Sequence, residues 1–272
     1  MKSLALLLAA LSAAPMLSAA DIVAHRGASF DAPENTLAAN KLAWKQNADA
    51  VETDIWLTGD GKIIVSHDKN AKRTAGRDAL VTELPLAELR TLDAGKWKAP
   101  EFAGEKLPLL DEQLALTPAG KRVFVEIKDG PHLVPELVRC LERTKSTPQS
   151  VTIISFNYES LKACRKLLPA YKTQYLMGYR AADPKAAPKP GAKKQPTLDE
   201  VIAEAKAAGL TGLDLQYTWP LTADDVKKIR AAGLELHVWT VDDVEVAKRW
   251  IALGVDSITT NKPGWLRAQL KL

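Results

Sequence analysis

The sequence predicts a (β/α)₈ TIM barrel with a small insertion after its second strand, and three observations predict it. Short β-branched runs alternate with amphipathic stretches about eight times, the rhythm of a parallel sheet with helical crossovers. Gly209, Gly233 and Gly254 stand just past three of the amphipathic stretches, where a helix C-cap belongs. The competing architecture, a doubly wound open sheet, normally carries a glycine-rich turn after its first strand, and none is present.

Residues 1–20 stand apart from that rhythm. Met1-Lys2 is a short positive start, residues 4–11 are continuously apolar, and Ser18-Ala19-Ala20 is a small-residue cleavage site. This is the pattern of a secretory signal peptide, and the apolar run is too short to span a bilayer. The expectation is a mature barrel of 252 residues, over 21–272, in the periplasm or the medium. An uncleaved anchor is the alternative.

The strands are expected at 21–24, 50–57, 122–127, 151–156, 172–178, 212–216, 235–240 and 257–260. Pro33 opens a helix over 33–47, at a position where proline is tolerated. Further helical patterns cover 133–143, 159–168, 198–208, 223–232 and 244–253. Gly59-Asp60-Gly61 marks a tight turn, after which 62–66 returns as an extended run. Residues 69–108 form an excursion long enough to be functional, read as a small subdomain beside the barrel mouth. The Pro-, Ala- and Lys-rich stretch 183–196 reads as a mobile basic loop.

Net charge is +4, too mild to argue for nucleic acid. No segment after residue 20 is apolar enough to span a membrane. Cys140 and Cys164 fall on helices expected to be neighbours, either bridged, as an oxidising compartment allows, or as buried thiols. Neither has zinc-like spacing.

The chemistry is concentrated in residues 25–68, which hold His25-Arg26-Gly27, Pro33-Glu34-Asn35-Thr36, Glu52-Thr53-Asp54 and His67-Asp68. Such groups are costly to bury unless paired or bound to metal. In a barrel they fall where a site belongs, at the C-terminal ends of the strands. His25 and Arg26 end the first strand. Glu52 and Asp54, two apart on the second, share a face, as Glu126 and Lys128 do at the end of the third. Glu52, Asp54 and Glu126 can therefore converge on one hard cation, Mg²⁺ or Ca²⁺. The alternatives are two surface acids on an edge strand and a plain Glu126–Lys128 salt bridge. His67 ends the returning run and can lean over the same mouth, or form a solvated turn with Asp68. His132, after Gly-Pro, reads as solvated or capping, and His237, inside a strand, as a satisfied core histidine. Two imidazoles suit proton transfer near neutral pH. A guanidinium suits phosphate, and a cation offsets charge gathering on phosphoryl oxygens. Together these groups fit hydrolysis of a phosphodiester.

These motifs, in order with the Asp-Gly turn, Glu-x-Lys and a late Ser-Ile-Thr-Thr-Asn-Lys-Pro, resemble those of the glycerophosphodiester phosphodiesterase family over nearly all of residues 21–265. The excursion at 69–108, with Arg73-Thr74 and Gly104-Glu105-Lys106-Leu107-Pro108, looks like that family's insertion. The resemblance implies hydrolysis of small glycerophosphodiesters to an alcohol and sn-glycerol 3-phosphate. His25 and His67 would be the acid–base pair, and Glu52, Asp54 and Glu126 the metal ligands. Arg26 would hold the phosphate, with Lys128 beside it, and Trp239 would line the glycerol side with Phe156. Glu34 would hold the metal or orient a neighbour. Asn261 stands where many relatives have Asp. Rival readings are a lysophospholipid or sphingomyelin phosphodiesterase, which would carry an apolar membrane-contacting loop, and a binding protein, which would have lost a histidine or a metal ligand. The excursion offers only scattered apolar residues such as Trp97 and Phe102, and no such loss is seen. Oligomeric state is left open.

Overall fold

Eight parallel strands close into a barrel in this computed structural model, which describes residues 20–180 and 195–272. The expected signal peptide, except Ala20, and the basic loop, except Gln195 and Pro196, lie outside the described residues.

The chain runs β1 (Asp21–Ala24), α1 (Leu37–Lys45), β2 (Ala50–Leu57) and a short β3 (Ile63–Val65). The insertion follows with α2 (Lys72–Ala75) and α3 (Leu86–Leu89), and then α4 (Leu110–Ala115). The remaining units are β4 (Arg122–Ile127), α5 (Val134–Arg143), β5 (Val151–Ser155), α6 (Tyr158–Leu167), β6 (Lys172–Met177), α7 (Leu198–Ala207), β7 (Gly212–Gln216), α8 (Ala223–Ala231), β8 (Glu235–Trp239), α9 (Val244–Leu253), β9 (Ser257–Thr260) and α10 (Pro263–Leu270). β1 pairs with both β2 and β9, which closes the barrel, while β3 lies antiparallel on β2 outside the ring. The strands are nearly continuously buried, as parallel strands covered on both faces must be.

Most of the apolar core lies between strands and helices, in two large clusters. A helix of about ten residues is marginal by itself. α5 is held because Val134, Leu137, Cys140 and Leu141 are buried against the sheet, at about 1.5–3 kcal/mol for each fully buried aliphatic side chain. Inside the barrel a smaller cluster of Val23, Ala50, Phe124, Ile154 and Leu176 fills the floor, with Trp239 against it. The polar mouth rests on that apolar plug. Cys140 and Cys164 are both buried and free, so the structure has no bridge between them. Cys140 instead donates to Asp111 Oδ2 at 3.2 Å. The insertion has its own small core of Ile64, Ala71, Val81, Leu89, Ala94 and Leu107. It is pinned beside the mouth by Lys98 Nζ donating to Ser29 O at 2.8 Å, and to α4 by Arg90 forking onto Glu112 at 2.6 and 2.9 Å.

Two expected helix starts move. The first helix begins at Leu37 rather than at Pro33, because Asn35 takes a left-handed φ of 60°, which an α-helix cannot contain. Thr36 is the N-cap, its hydroxyl accepting from Ala39 N at 3.2 Å. The helix expected over 133–143 opens with a 3₁₀ turn, Pro131–Leu133, before α5. Pro135 lacks an N–H and is tolerated only in the first turn, so α5 cannot extend backwards. α10, which the sequence did not mark, closes the last unit.

Gly27 sets the backbone after β1. Its φ is +80°, and an added Cβ would lie 2.6 Å from Ala39 Cβ and 2.7 Å from Ala39 C. Gly27→Ala should therefore destabilise the fold by roughly 2–4 kcal/mol, combining left-handed strain with overpacking. Urea unfolding measures this directly, and an unchanged midpoint would contradict the close approach.

Candidate active site

The strand register does the first part of the work. Asp54 and Glu126 are direct neighbours across β2 and β4, and Glu52 lies two residues before Asp54 on the same face. The three carboxylates are buried, each offering an oxygen within 4.8 Å of the others. Asn35 donates from Nδ2 to Asp54 Oδ2 at 2.8 Å and accepts at Oδ1 from Thr53 Oγ1 and Asp54 N. The left-handed turn that ended the helix early is thus what aims this amide at β2.

Positive charge is interleaved with the acids. Lys128 Nζ lies 2.9 Å from Glu126 Oε1 and 3.4 Å from Asp54 Oδ1. Arg26 also takes a left-handed φ and donates its backbone N–H to Glu52 Oε2 at 2.9 Å. Its Nε lies 3.3 Å from Asp54 Oδ2, and its Nη1 donates to Glu34 Oε1 at 2.9 Å. Glu34 is also gripped by Arg73 of the insertion, with two bonds of 2.8 Å. Its two oxygens thus serve two guanidiniums, and Glu34 stands outside the three-carboxylate cluster.

Burial, then the Asp54 and Glu126 charges, pushes Glu52 well above the usual carboxyl range. Burial and Asp54 push Glu126 up to about 8 against the pull of Lys128. Burial opposes ionisation of Asp54 as well, but Lys128 and Arg26 outweigh it and hold this carboxyl below its ordinary value. Glu52 Oε1 and Asp54 Oδ1 are buried without a hydrogen-bond partner. Orphaned, mutually repelling carboxylate oxygens are expensive in a low-dielectric site. Their all-oxygen donor set fits a hard divalent cation, which would offset that cost.

The two histidines are held differently. His25 Nδ1 lies 2.7 Å from Asn261 Oδ1. The Asn261 amide is oriented by Asp242, which accepts from its Nδ2 at 2.6 Å and its backbone N–H at 2.8 Å. The amide oxygen therefore faces the imidazole, so Nδ1 carries the proton and Nε2, 3.9 Å from Glu52 Oε2, keeps its lone pair. Burial, then Arg26, pushes His25 down to about 4, so the ring is neutral near pH 7. His67 Nδ1 donates to Asp68 Oδ1 at 2.7 Å. Burial opposes ionisation of Asp68, yet Arg73 and His67 hold it at about 2. The remaining histidines match their sequence reading. His132 is exposed and 3.2 Å from Asp129, while His237 is buried with both ring nitrogens engaged.

His25, Arg26, Glu52, His67, Glu126, Lys128, Phe156 and Trp239 all line one cavity of about 140 Å³ at the barrel mouth. Asp54 sits behind the lining. Phe156 and Trp239 meet edge to face with centroids 5.5 Å apart, and Trp239 is tied by Nε1 to Asp214 O at 3.0 Å. Sequence reasoning missed the supports. Asp242 carries no local signal, Asn261 stands out in the sequence only as a departure from relatives, and nothing near Arg73 in the chain points to its partners. Asp214, also in the lining, passed unnoticed within an apolar strand.

Comparison with known proteins finds a match to the model of the glycerophosphoryl diester phosphodiesterase family over residues 25–265. A glycerophosphodiester phosphodiesterase of Caldanaerobacter subterraneus is 33% identical over 249 residues, covering 89% of this chain and 94% of the relative. One from Bacillus subtilis is 33% identical over 257 residues, covering 89% and 83%. Among solved structures, an Oleispira antarctica phosphodiesterase in complex with its product sn-glycerol-3-phosphate superimposes with a TM-score of 0.81, at 28% identity, over 93% of this chain and 98% of that one.

A divalent cation at a hundredfold excess over its dissociation constant should stabilise the protein by about 2.7 kcal/mol. That corresponds to a melting shift of roughly 5–10 °C for a chain of this size. Calorimetric melts with Mg²⁺ and Ca²⁺ should show the shift in the wild type and lose it in a Glu52→Gln/Glu126→Gln variant. An equal shift in both proteins would remove the cation from this cluster.

Proposed function

The chain belongs to the glycerophosphoryl diester phosphodiesterase family and is an enzyme of that class, and from that premise we propose that it releases sn-glycerol 3-phosphate from glycerophosphodiesters by two-histidine acid–base catalysis with one divalent cation, Mg²⁺ or Ca²⁺. The observation that carries this reading is the cavity shared by His25, His67, Arg26, Lys128 and two members of the carboxylate cluster, Glu52 and Glu126, with Asp54 just behind them.

Glu52, Asp54 and Glu126 would hold the cation, which when bound supplies positive charge to the phosphoryl oxygens and lowers the cost of their developing charge. Arg26 and Lys128 add fixed positive charge on the same wall. Both are pre-positioned by acids, Arg26 by Glu34 and Asp54 and Lys128 by Glu126 and Asp54, so little side-chain reorganisation is left for the reaction. Glu34 serves as an orienting group, joining Arg26 to Arg73 of the insertion.

His25 is the base in this reading. Its Nδ1–H is committed to Asn261, so Nε2 is the atom left to accept a proton. The nucleophile is the glycerol hydroxyl next to the phosphate, giving a cyclic phosphate that water then opens, or water itself. The base is the same for either attack. His67 is the acid that protonates the departing alkoxide, its ring held by ionised Asp68. Trp239 and Phe156 form the apolar wall against which the organic part of the substrate packs. The pattern of residues 1–20 supports an exported enzyme, in the periplasm or the medium, and no helix among the described residues is long and apolar enough to cross a membrane.

A coupled assay for glycerol 3-phosphate, with glycerophosphocholine as substrate, tests the reading. Release should need added divalent metal, stop with chelator, and fall by about 10²–10⁴ in kcat in His25→Ala and in His67→Ala. Full activity in chelator would sink the metal role. Near wild-type rates in both variants would sink the acid–base assignment.

A further inference from the structure

One buried acid in the cavity has no part in the chemistry above. Asp214 lies on β7, which stands four strands from β2 in either direction around the closed sheet, directly across the barrel from the carboxylate cluster. It lines the reaction cavity, is 2% exposed, and its Oδ1 has no hydrogen-bond partner. Its neighbours do not supply one. In the sheet it lies between Leu176 and His237. Both ring nitrogens of His237 are already engaged, Nε2 with Gln174 and Nδ1 with Ser257, each at 2.6 Å. Ile154, Phe156 and Trp239 make the adjoining cavity wall largely apolar. An unpaired carboxyl in such a wall costs stability, and a ligand that hydrogen-bonds to it would recover that cost.

We propose that the Asp214 carboxyl is a substrate-reading group that hydrogen-bonds the terminal hydroxyl of the glyceryl moiety, the hydroxyl farthest from the phosphate. The choice of ligand rests on the diester-hydrolase reading. With the phosphate and its adjacent hydroxyl held on the β2–β4 side, the far end of the glyceryl group extends across the cavity towards β7. The carboxyl suits a neutral hydroxyl better than a fixed cation, since burial pushes it up to about 7 and only His237 opposes that. A trimethylammonium group, by contrast, has no N–H to donate. Asp214 would thus set specificity for the glyceryl end, while the carboxylate cluster handles the phosphoryl end. A site built around a buried polar group rejects an analogue that lacks the matching hydroxyl, because the group is then left unpaired.

The test compares binding of sn-glycerol 3-phosphate with binding of propane-1,2-diol 1-phosphate, which lacks only the terminal hydroxyl. Titration calorimetry is run with divalent metal present. The wild type should prefer sn-glycerol 3-phosphate by roughly 10–100-fold, the range for a hydrogen bond to a charged or strongly polar group. Asp214→Leu should bring that ratio to about 1, and Asp214→Asn, which keeps an acceptor oxygen, should retain part of it. Ligand-free Asp214→Leu should melt about 2–10 °C higher than the wild type, because an unpaired buried carboxyl has been removed. A ratio unchanged in Asp214→Leu overturns the proposal, as does a lower melting temperature in both variants, which would mark Asp214 as structural. The expected affinity pattern without diester turnover would fail the reaction assignment and leave Asp214 as a hydroxyl reader. Normal turnover with an unchanged ratio would do the reverse.

Discussion

Three carboxylates buried within 4.8 Å of one another are the constraint around which the mouth of this barrel is organised. Their mutual repulsion in a site shielded from water would be prohibitive without compensation. Each neighbouring element supplies part of it. β1 delivers Arg26 and a backbone N–H to Glu52, β4 is followed by Lys128, and the turn before α1 supplies the Asn35 amide to Asp54. What these groups leave unsatisfied is also informative. Glu52 Oε1 and Asp54 Oδ1 remain without hydrogen bonds, and the raised Glu52 and Glu126 carboxyls show that fixed protein charges do not complete the balance. A bound divalent cation would complete it.

Charge balance extends outward from that centre and explains why parts remote in sequence belong to the site. Arg73 lies in the insertion, yet it completes Glu34, which orients Arg26, and it ionises Asp68, which orients His67. The insertion therefore braces the candidate site through Arg73, besides being a small packed subdomain. On the other side Asp242, just after β8, aligns the Asn261 amide, which sets the protonated nitrogen of His25. An amide suits position 261 because a carboxylate there would face Asp242 directly. The two histidines thus receive different partners, a neutral amide oxygen for one and an ionised carboxylate for the other. That asymmetry separates base from acid in the proposed mechanism.

Much of this was legible in the chain because it is carried by local pattern. Strand–helix alternation located all eight barrel strands, since buried parallel strands must be apolar and helices must show a wet and a dry face. The Glu-x-Asp and Glu-x-Lys pairs were readable because a strand's period of two places both members on one face. Helix starts were less legible. Pro33 is a good first helical residue by propensity, but Asn35 adopts a left-handed turn in order to reach Asp54, a tertiary demand with no local signature.

By itself the sequence determined the barrel, the strand ends where chemistry could sit, and the residue types gathered there, because each follows from periodicity and the cost of burying charge. Only the tertiary structure decided which of those groups meet. It turned Glu34 towards two arginines and away from the carboxylate cluster, left Cys140 and Cys164 unbridged, set the His25 ring through Asp242 and Asn261, and exposed Asp214 as an unpaired acid in the cavity wall. The physical reason is common to all four. A hydrogen bond or ion pair depends on a few tenths of an ångström between atoms that folding brings together, and sequence spacing carries no information at that scale.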